Sequence, residues 1–479
     1  MKLSTLIADL QGVNIKGEFE GVEISNIAYD SRKVEPGSLF VCIEGFKVDG
    51  HNFIDAAVEK GAVAIVVTKD IDVPGVTIIK HNDTRKALAQ IACRFYGNPS
   101  SKLNVIGVTG TKGKTTTTFM IKSILEQSDH KVGLIGTIAN LIGDKILPAQ
   151  RTTPESLELQ QFFCEMLQNG IDTIVMEVSS HSLDLKRVDN TEFDVGVFTN
   201  LSQDHLDYHV TFENYFAAKT KLFDMCKQGI INVDDNYGKR LLEKGCDKLS
   251  FGIDNKADIN AERIEISPNG TRFNVVDNDK IFEVFVPIPG RFSVYNALAA
   301  ISACKKFDIS AAQIVEGLKK LKVPGRAETV ETNRDFAVMV DYAHSPDSLE
   351  NILNAVKIYA KGRVVSVFGC GGDRDRTKRP IMGEISGRLA DFTIITSDNP
   401  RTEDPEKILI DVEEGIKKTR GKYTVITDRR AAINYAIKNA IKDDIIVIAG
   451  KGHETYQIFK DETIHFDDRE VAREAIDNL

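Results

Sequence analysis

Residues 103–118 read LNVIGVTGTKGKTTTT, and few patterns restrict a fold so narrowly. An apolar, β-branched run stops at a group of glycines, and a helical pattern, KTTTTFMIKSILEQS, begins at once. A fully buried strand, a tight glycine turn and a helix make the repeating unit of parallel α/β sheets. Glycines at such a turn let backbone N–H groups face a polyphosphate. Lys114 can then reach the outer phosphates, the Thr115 hydroxyl can reach a magnesium ion, and the helix adds its positive N-terminus. The spacing is not the usual one: five residues separate Gly107 from Gly113, and two separate Gly110 from Gly113.

The same alternation runs through most of the 479 residues, enough chain for about three domains. LFVCIEG, AVAIVV and VTIIK alternate with helical stretches up to residue 98, where FYGNPSSK (95–102) reads as a linker. KVGLIGT, IDTIVMEVSS and FDVGVFTNLS continue the series as apolar strands. From 257 to 289 polar and apolar residues alternate around Asn-Gly and Asp-Asn turns, which predicts a small antiparallel patch. Pro324 and Gly325 mark a second boundary, after which FAVMVDYAH, RVVSVFGCGG, FTIITSDNP and DIIVIAGKGHE form a fresh α/β series.

Composition narrows the setting. Hydrophobic residues make up 42% and charged residues 27%, the balance of a soluble globular protein, and no apolar run approaches the length of a membrane helix. A formal net charge of −9 argues against broad nucleic-acid binding. Seven scattered cysteines, none in a Cys-x-x-Cys pair, fit reduced thiols in a cytoplasm rather than a disulfide frame or zinc site.

Polar clusters follow the strands, where open parallel sheets bind ligands; three such units suggest one composite site between domains. MEVSSH (176–181) puts Glu177 at a strand end, a natural magnesium ligand or an ordinary polar terminus. NLSQDHLDYH (200–209) reads as a loop. His205 and His209 are four apart, but no Glu sits beside the first as in His-Glu-x-x-His, so one histidine helping to hold magnesium or manganese is favoured over a zinc site. ENYFAAKTKLF (213–223) is helical and places Lys219 on its apolar side but not Lys221. A charged, unpaired lysine in a core is costly, so the residues alone predict that Lys219 snorkels to water. VPGRAE offers Arg326, VDYAHSPDS offers Asp341 and His344, GCGGDRDRTKRP offers Arg374, Arg376, Lys378 and Arg379, and AGKGHE offers Glu454. SDNPRTEDP (397–405) stiffens a turn at Pro400 and presents Arg401 beside Asn399. Its anion could be a nucleotide phosphate, a nucleic-acid backbone, an internal carboxylate or a substrate.

Taken in order, DSRKVEPGSLFVCIEG, GVTGTKGKTT, MEVSSH, DHLDYH, AAKTKLF, PGRAE, DYAHSPDSLE, GGDRDRTKRP, DNPR and GKGHE resemble the Mur ligases over essentially the whole chain. These are ATP-dependent enzymes that add amino acids to UDP-muramyl precursors of the bacterial cell wall. The resemblance implies an α/β protein of three domains: 1–98, binding UDP; 99–325, a central P-loop-type parallel-sheet ATPase domain with a small antiparallel patch; and 326–479, a Rossmann-like domain binding the amino acid. It implies a cytoplasmic, monomeric enzyme of peptidoglycan synthesis, and hence of cell shape and division, acting on small molecules rather than on nucleic acid or membrane.

Site residues carried over from the family stay expectations at this point. Gly110, Thr111, Lys112, Gly113, Lys114, Thr115 and Thr116, with Asn296, Arg326 and Asp341, would bind ATP. Thr115, Glu177, His205 and Lys219 would serve the magnesium ions, with Lys219 carried as a carbamate formed with CO2; Lys114, Lys219 and His205 would be the catalytic set. Asp30, Ser31, Arg32, Phe46, Lys47, Val48, Thr152, Thr153, Ser179 and Arg187 would hold the UDP-N-acetylmuramoyl-L-alanyl-D-glutamate substrate. Arg379, Asp398, Asn399, Pro400, Arg401, Gly450 and Glu454 would hold the amino acid, because Asp-Asn-Pro-Arg is associated with members that add meso-diaminopimelate rather than L-lysine. Two departures stand out: Leu185 replaces a substrate-contacting glutamine of some members, and Lys112 an asparagine of many. A sibling reading is the lysine-adding enzyme; one from another class is an ATP-switched nucleic-acid-binding protein, suggested by DRDRTKR. The folylpolyglutamate synthases share the ATP-binding logic, but DSR and DNPR do not fit them.

Overall fold

The strand expected before the glycine turn forms over Asn104–Thr109, and the helix after it over Lys114–Glu126. The structure, a computed structural model, describes residues 1–46, 48–143, 145–243, 246–278 and 280–479. Two compact units emerge, Met1–Ala257 with Ala299–Ile309, and Asp258–Leu298 with Ser310–Leu479.

The first unit holds two sheets. One runs in the order Asn14–Lys16, Thr77–Lys80, Ala62–Val67, Ser38–Val41, Asn26–Ala28, with only the first pair antiparallel. In the other, Asn104–Thr109 lies between Phe193–Phe198 and Thr173–Glu177, all parallel. Cys226–Asn232 and Asp247–Gly252 extend it on one side, and Val132–Ile135 on the other, again in parallel. An antiparallel hairpin, Ala139–Ile142 and Lys145–Pro148, completes that edge. Leu159, Phe163, Met166, Ile174, Phe193 and Phe198 are among the buried side chains of its core. Because the central strands are covered on both faces, their sequences read as continuous apolar runs.

Within the 95–102 segment a short ordered turn forms. Asn98 takes a left-handed conformation, Pro99 opens a 3-10 turn, and the buried Ser100 hydroxyl accepts from Glu192 N.

In the second unit the antiparallel patch forms as expected, from Ile259–Ser267, Gly270–Asp277 and Lys280–Val286. A six-stranded sheet follows, in the order Glu328–Val330, Ala337–Asp341, Ile445–Ala449, Val364–Phe368, Phe392–Ile395, Tyr423–Val425. Only its first pair is antiparallel. The helix Pro346–Lys357 starts with Ser345 at the cap and Pro346 in the first turn, where proline is tolerated. All seven cysteines are free thiols. Among the described residues no helix is long and apolar enough to cross a membrane.

Candidate active site

In the first unit the glycine turn is held from the neighbouring strand end. Lys112 N donates to Asn200 Oδ1 at 2.9 Å, and the Lys112 carbonyl accepts from Thr199 Oγ1 at 2.7 Å and Asn200 Nδ2 at 3.1 Å. Gly110 has φ of 145°, and a Cβ there would fall 1.9 Å from Thr199 Oγ1, so no other residue fits. Lys114 Nζ donates to the carbonyls of Gly110 and Thr111, both at 3.0 Å, placing its charge inside the curl of the turn. The Thr111 hydroxyl lies 3.1 Å from the Tyr215 hydroxyl. Lys112 directs its ammonium to Asp204 at 3.5 Å, while the backbone does the work of the turn.

Glu177 ends its strand fully buried. Oε1 accepts from Thr115 Oγ1 at 2.9 Å and Thr137 N at 2.8 Å, and Oε2 from Thr137 Oγ1 at 3.1 Å. A carboxylate and a helix-N-terminal threonine hydroxyl thus meet beside the phosphate turn, and both are hard oxygen donors of the kind magnesium prefers.

Lys219 lies on the helix Phe212–Met225 and is 1% exposed, while Lys221 on the same helix reaches out to Asp184. Lys219 Nζ donates to Gly110 O at 2.8 Å and sits 4.5 Å from the centre of the Tyr215 ring. Burial, with Lys114 adding to it, pushes this ammonium well below the usual lysine range, and Asp204 only partly opposes it. The side chain therefore does not snorkel: it is a buried amine whose charged form burial disfavours.

His205 caps a short helix, Leu206–His209, where the sequence predicted a loop, and adopts a left-handed φ of 52°. His209 turns away to Ser180 Oγ at 2.9 Å, so the two histidines do not share a ligand in the manner of a zinc hydrolase. The His181 ring packs 4.8 Å from His205 and 5.5 Å from His209. Burial lowers all three imidazoles, with His181 brought down to about 4, so they are neutral near pH 7. Burial works to raise Asp204, but Lys112, His205 and Lys114 outweigh it and hold that carboxyl below its usual range.

The residues expected at the muramyl peptide lie in the same unit. Thr152 Oγ1 is 3.1 Å from Thr137 Oγ1, and Thr153 Oγ1 donates to Glu177 O at 2.8 Å. Ser179 caps the helix Ser180–Asp184 and its N–H donates to Thr153 Oγ1. Arg187 sits among Arg85, Arg151 and the buried Glu155; burial pulls its guanidinium below the usual value, and Glu155 opposes the pull. Leu185 ends the Ser180–Asp184 helix. Asp30 caps the Ser31–Lys33 turn and grips Arg32 with two carboxylate oxygens. Phe46 and Val48 are exposed, the Phe46 ring standing edge-on to Tyr208 at 5.7 Å. Lys47 lies outside the described residues.

In the second unit, Arg326 lies 4.9 Å over the Tyr342 ring, and Asp341 Oδ2 accepts from Ala327 N at 2.7 Å. Burial raises the Asp341 carboxyl, with Arg326 opposing. Asn296 is buried on the helix Arg291–Cys304. Asp341 also hands its carbonyl to Gly450 N at 3.0 Å, which joins the PGRAE–DYAH region to the GKGHE loop.

At that loop Asn399 Nδ2 donates to Glu454 Oε2 at 2.8 Å, and Lys451 Nζ reaches Glu454 Oε2 at 3.1 Å and Asn399 Oδ1 at 3.3 Å. Asp398 accepts from Asn399 N through its side chain and from Gln457 Nε2 through its carbonyl. Arg401, just past Pro400, has a φ of 54°. Its N–H donates to Ile458 O at 3.0 Å and its Nη1 to Gly372 O at 2.8 Å. Arg379 is fully buried and engages Glu403 at 3.0 and 2.8 Å and Asp411 at 2.9 Å.

Three family models match in chain order: a Mur ligase family catalytic domain over residues 23–96, the Mur ligase middle domain over 108–304, and a Mur ligase glutamate ligase domain over 325–452. A UDP-N-acetylmuramoyl-L-alanyl-D-glutamate–2,6-diaminopimelate ligase of Clostridium acetobutylicum is 54% identical, each chain covered over its full length. The chain belongs to the Mur ligase family. A Caldanaerobacter subterraneus ligase with the same description is 52% identical over 98% of both chains. A solved structure of a UDP-N-acetylmuramoyl-L-alanyl-D-glutamate–2,6-diaminopimelate ligase superposes with a TM-score of 0.74 at 33% identity, covering all of this chain and 99% of that one.

Within this Mur ligase several contributors escaped sequence reasoning. Thr137 orders Glu177 from a turn with no motif of its own. Tyr215 was legible only as part of the stripe that carries Lys219. Lys451 stood in plain view inside GKGHE, but nothing in its spacing marks it as buried against Asn399 and Glu454. Among the described residues Glu44, Asp49 and His51 could converge on a cation. However, Lys69 already engages Asp49, and Thr68 N donates to His51 Nε2, so that group is internally satisfied.

Proposed function

We propose that this Mur ligase joins meso-diaminopimelate to UDP-N-acetylmuramoyl-L-alanyl-D-glutamate at the expense of ATP. The observation that carries this is the 52–54% identity, over essentially whole chains, to ligases described as doing so. The geometry of the two strand-end loops supports it. A D-glutamyl carboxylate oxygen attacks the γ-phosphorus, ADP leaves, and the resulting acyl phosphate is attacked by the amine of the amino acid with loss of phosphate.

The first step brings two anions together, so cations must offset their repulsion. Lys114 and the amides of Gly110–Thr116 hold the triphosphate. Thr115 and Glu177 suit a magnesium ion, which when bound withdraws charge from the phosphoryl oxygens; the neutral His205 suits a second. Burial disfavours the charged form of Lys219, and the uncharged amine is the form that reacts with CO2; its carbamate would add an anion beside Lys114. In the second unit, Asn296, Arg326 and Asp341 are the nucleotide-binding candidates on the family resemblance. Thr152, Thr153, Ser179 and Arg187, with Ser31, Phe46, Lys47 and Val48, take the muramyl peptide.

Arg401 offers a carboxylate two parallel hydrogen bonds, and Asn399 and Glu454 add polar contacts to an ammonium. Lysine lacks the distal carboxylate, and each buried polar group left unpaired costs about 1–3 kcal/mol. We assign the working division 1–98, 99–325 and 326–479, a monomer and a cytoplasmic location on the same reading. Mass analysis of the product tests it: the expected result is one diaminopimelate added per ADP formed. Hydrolysis of ATP with no new amide would overturn it.

A further inference from the structure

The loops proposed to hold the amino acid follow two strands that are not neighbours. Ser397–Arg401 lies just past Phe392–Ile395, Gly450–Glu454 follows Ile445–Ala449, and Val364–Phe368 runs between them. Two strand spacings separate the strand ends by about 10 Å; beyond those ends the loops meet through the side chains of Asn399, Lys451 and Glu454.

Arg429 bridges that gap. It opens the helix Arg429–Lys438, and its side chain is completely buried. Nη2 donates to Ala449 O at 3.0 Å and Nη1 to Ser397 O at 3.4 Å, the carbonyls adjoining the two loops. Nε and Nη2 grip the equally buried Asp468, both at 2.7 Å. Burial works against this guanidinium's charge, but Asp468 outweighs it and raises the pKa further. A buried ion pair seldom adds net stability over a well-packed apolar pair, so its value here lies in what it holds in place.

We propose that Arg429 and Asp468 are positioning and specificity-determining residues for the ligation. They set the spacing of Asn399 and Arg401 against Gly450 and Glu454, and so select an amino acid whose two polar ends fit that spacing. The inference rests on the reading of those loops as the amino-acid site.

Steady-state kinetics on the full chain tests it with Arg429→Lys, which keeps a charge opposite Asp468 but cannot reach both carbonyls. The KM for diaminopimelate is expected to rise at least tenfold, with the KM for ATP within twofold. If this variant lacks a cooperative melt, the paired change Arg429→Met with Asp468→Leu, which leaves no buried charge alone, is read the same way. An unchanged diaminopimelate KM in a folded variant, or an equal rise for ATP, overturns the proposal. Arg401→Lys separates the two levels. If it raises the amino-acid KM while the Arg429 variants do not, the site stands and the positioning role falls. If neither moves it, both fall; if only the Arg429 variants move it, the loops bind through groups other than Arg401 and the positioning role stands.

Discussion

Lys219 shows at the residue scale how one buried group reports a chemical need. Its position on an apolar helix stripe was evident from spacing, but the choice between snorkelling and burial was not. The fold decides it by placing Tyr215 and Gly110 O around the amine, with Asp204 only partly opposing the effect of burial. Removing the amine removes the proposed carbamate, so Lys219→Ala is expected to lower turnover about 10²–10³-fold, by analogy with the loss of a single transition-state contact. A small carboxylate in solution should restore part of the activity, measured as phosphate release. Near-normal activity without rescue would remove the carbamate from the account.

At the scale of elements, function gathers where strands end. Gly450 makes the point: its φ is 119°, and a Cβ would stand 2.5 Å from Asp398 Oδ2. Gly450→Ala should therefore cost about 1–3 kcal/mol in strain and raise the diaminopimelate KM at least tenfold. A thermal melt and initial rates over a range of amino-acid concentrations check both. A variant with wild-type melting and KM would mean that the loop tolerates displacement. The apolar central strands, the helix carrying Lys219 and the antiparallel patch were legible, because apolar periodicity records burial directly; the hairpin Ala139–Ile142 and Lys145–Pro148 and the strands Cys226–Asn232 and Asp247–Gly252 were not. The short helix after His205 was not, since four residues carry too little periodicity to distinguish a turn of helix from a loop. Nor was the burial of Arg379 and Lys451. Charge in sequence suggests solvent, and only the fold brings Glu403, Asp411, Asn399 and Glu454 to meet them.

At the scale of the whole molecule, family membership was readable because ten motifs occur in one order, several of them at strand ends and one, AAKTKLF, within a helix. The substrate is a finer matter. It rests on Asn399, Arg401, Gly450 and Glu454, and on the chemistry that separates a two-headed amino acid from one with a single carboxylate. Parallel assays with UDP-N-acetylmuramoyl-L-alanyl-D-glutamate, ATP and magnesium, supplied with either meso-diaminopimelate or L-lysine, address it directly through phosphate release. Turnover is expected with diaminopimelate at a kcat/KM at least 10²-fold above that for lysine, the ratio set by about 3 kcal/mol of unpaired polar contacts. Equal or faster turnover of lysine would contradict the account.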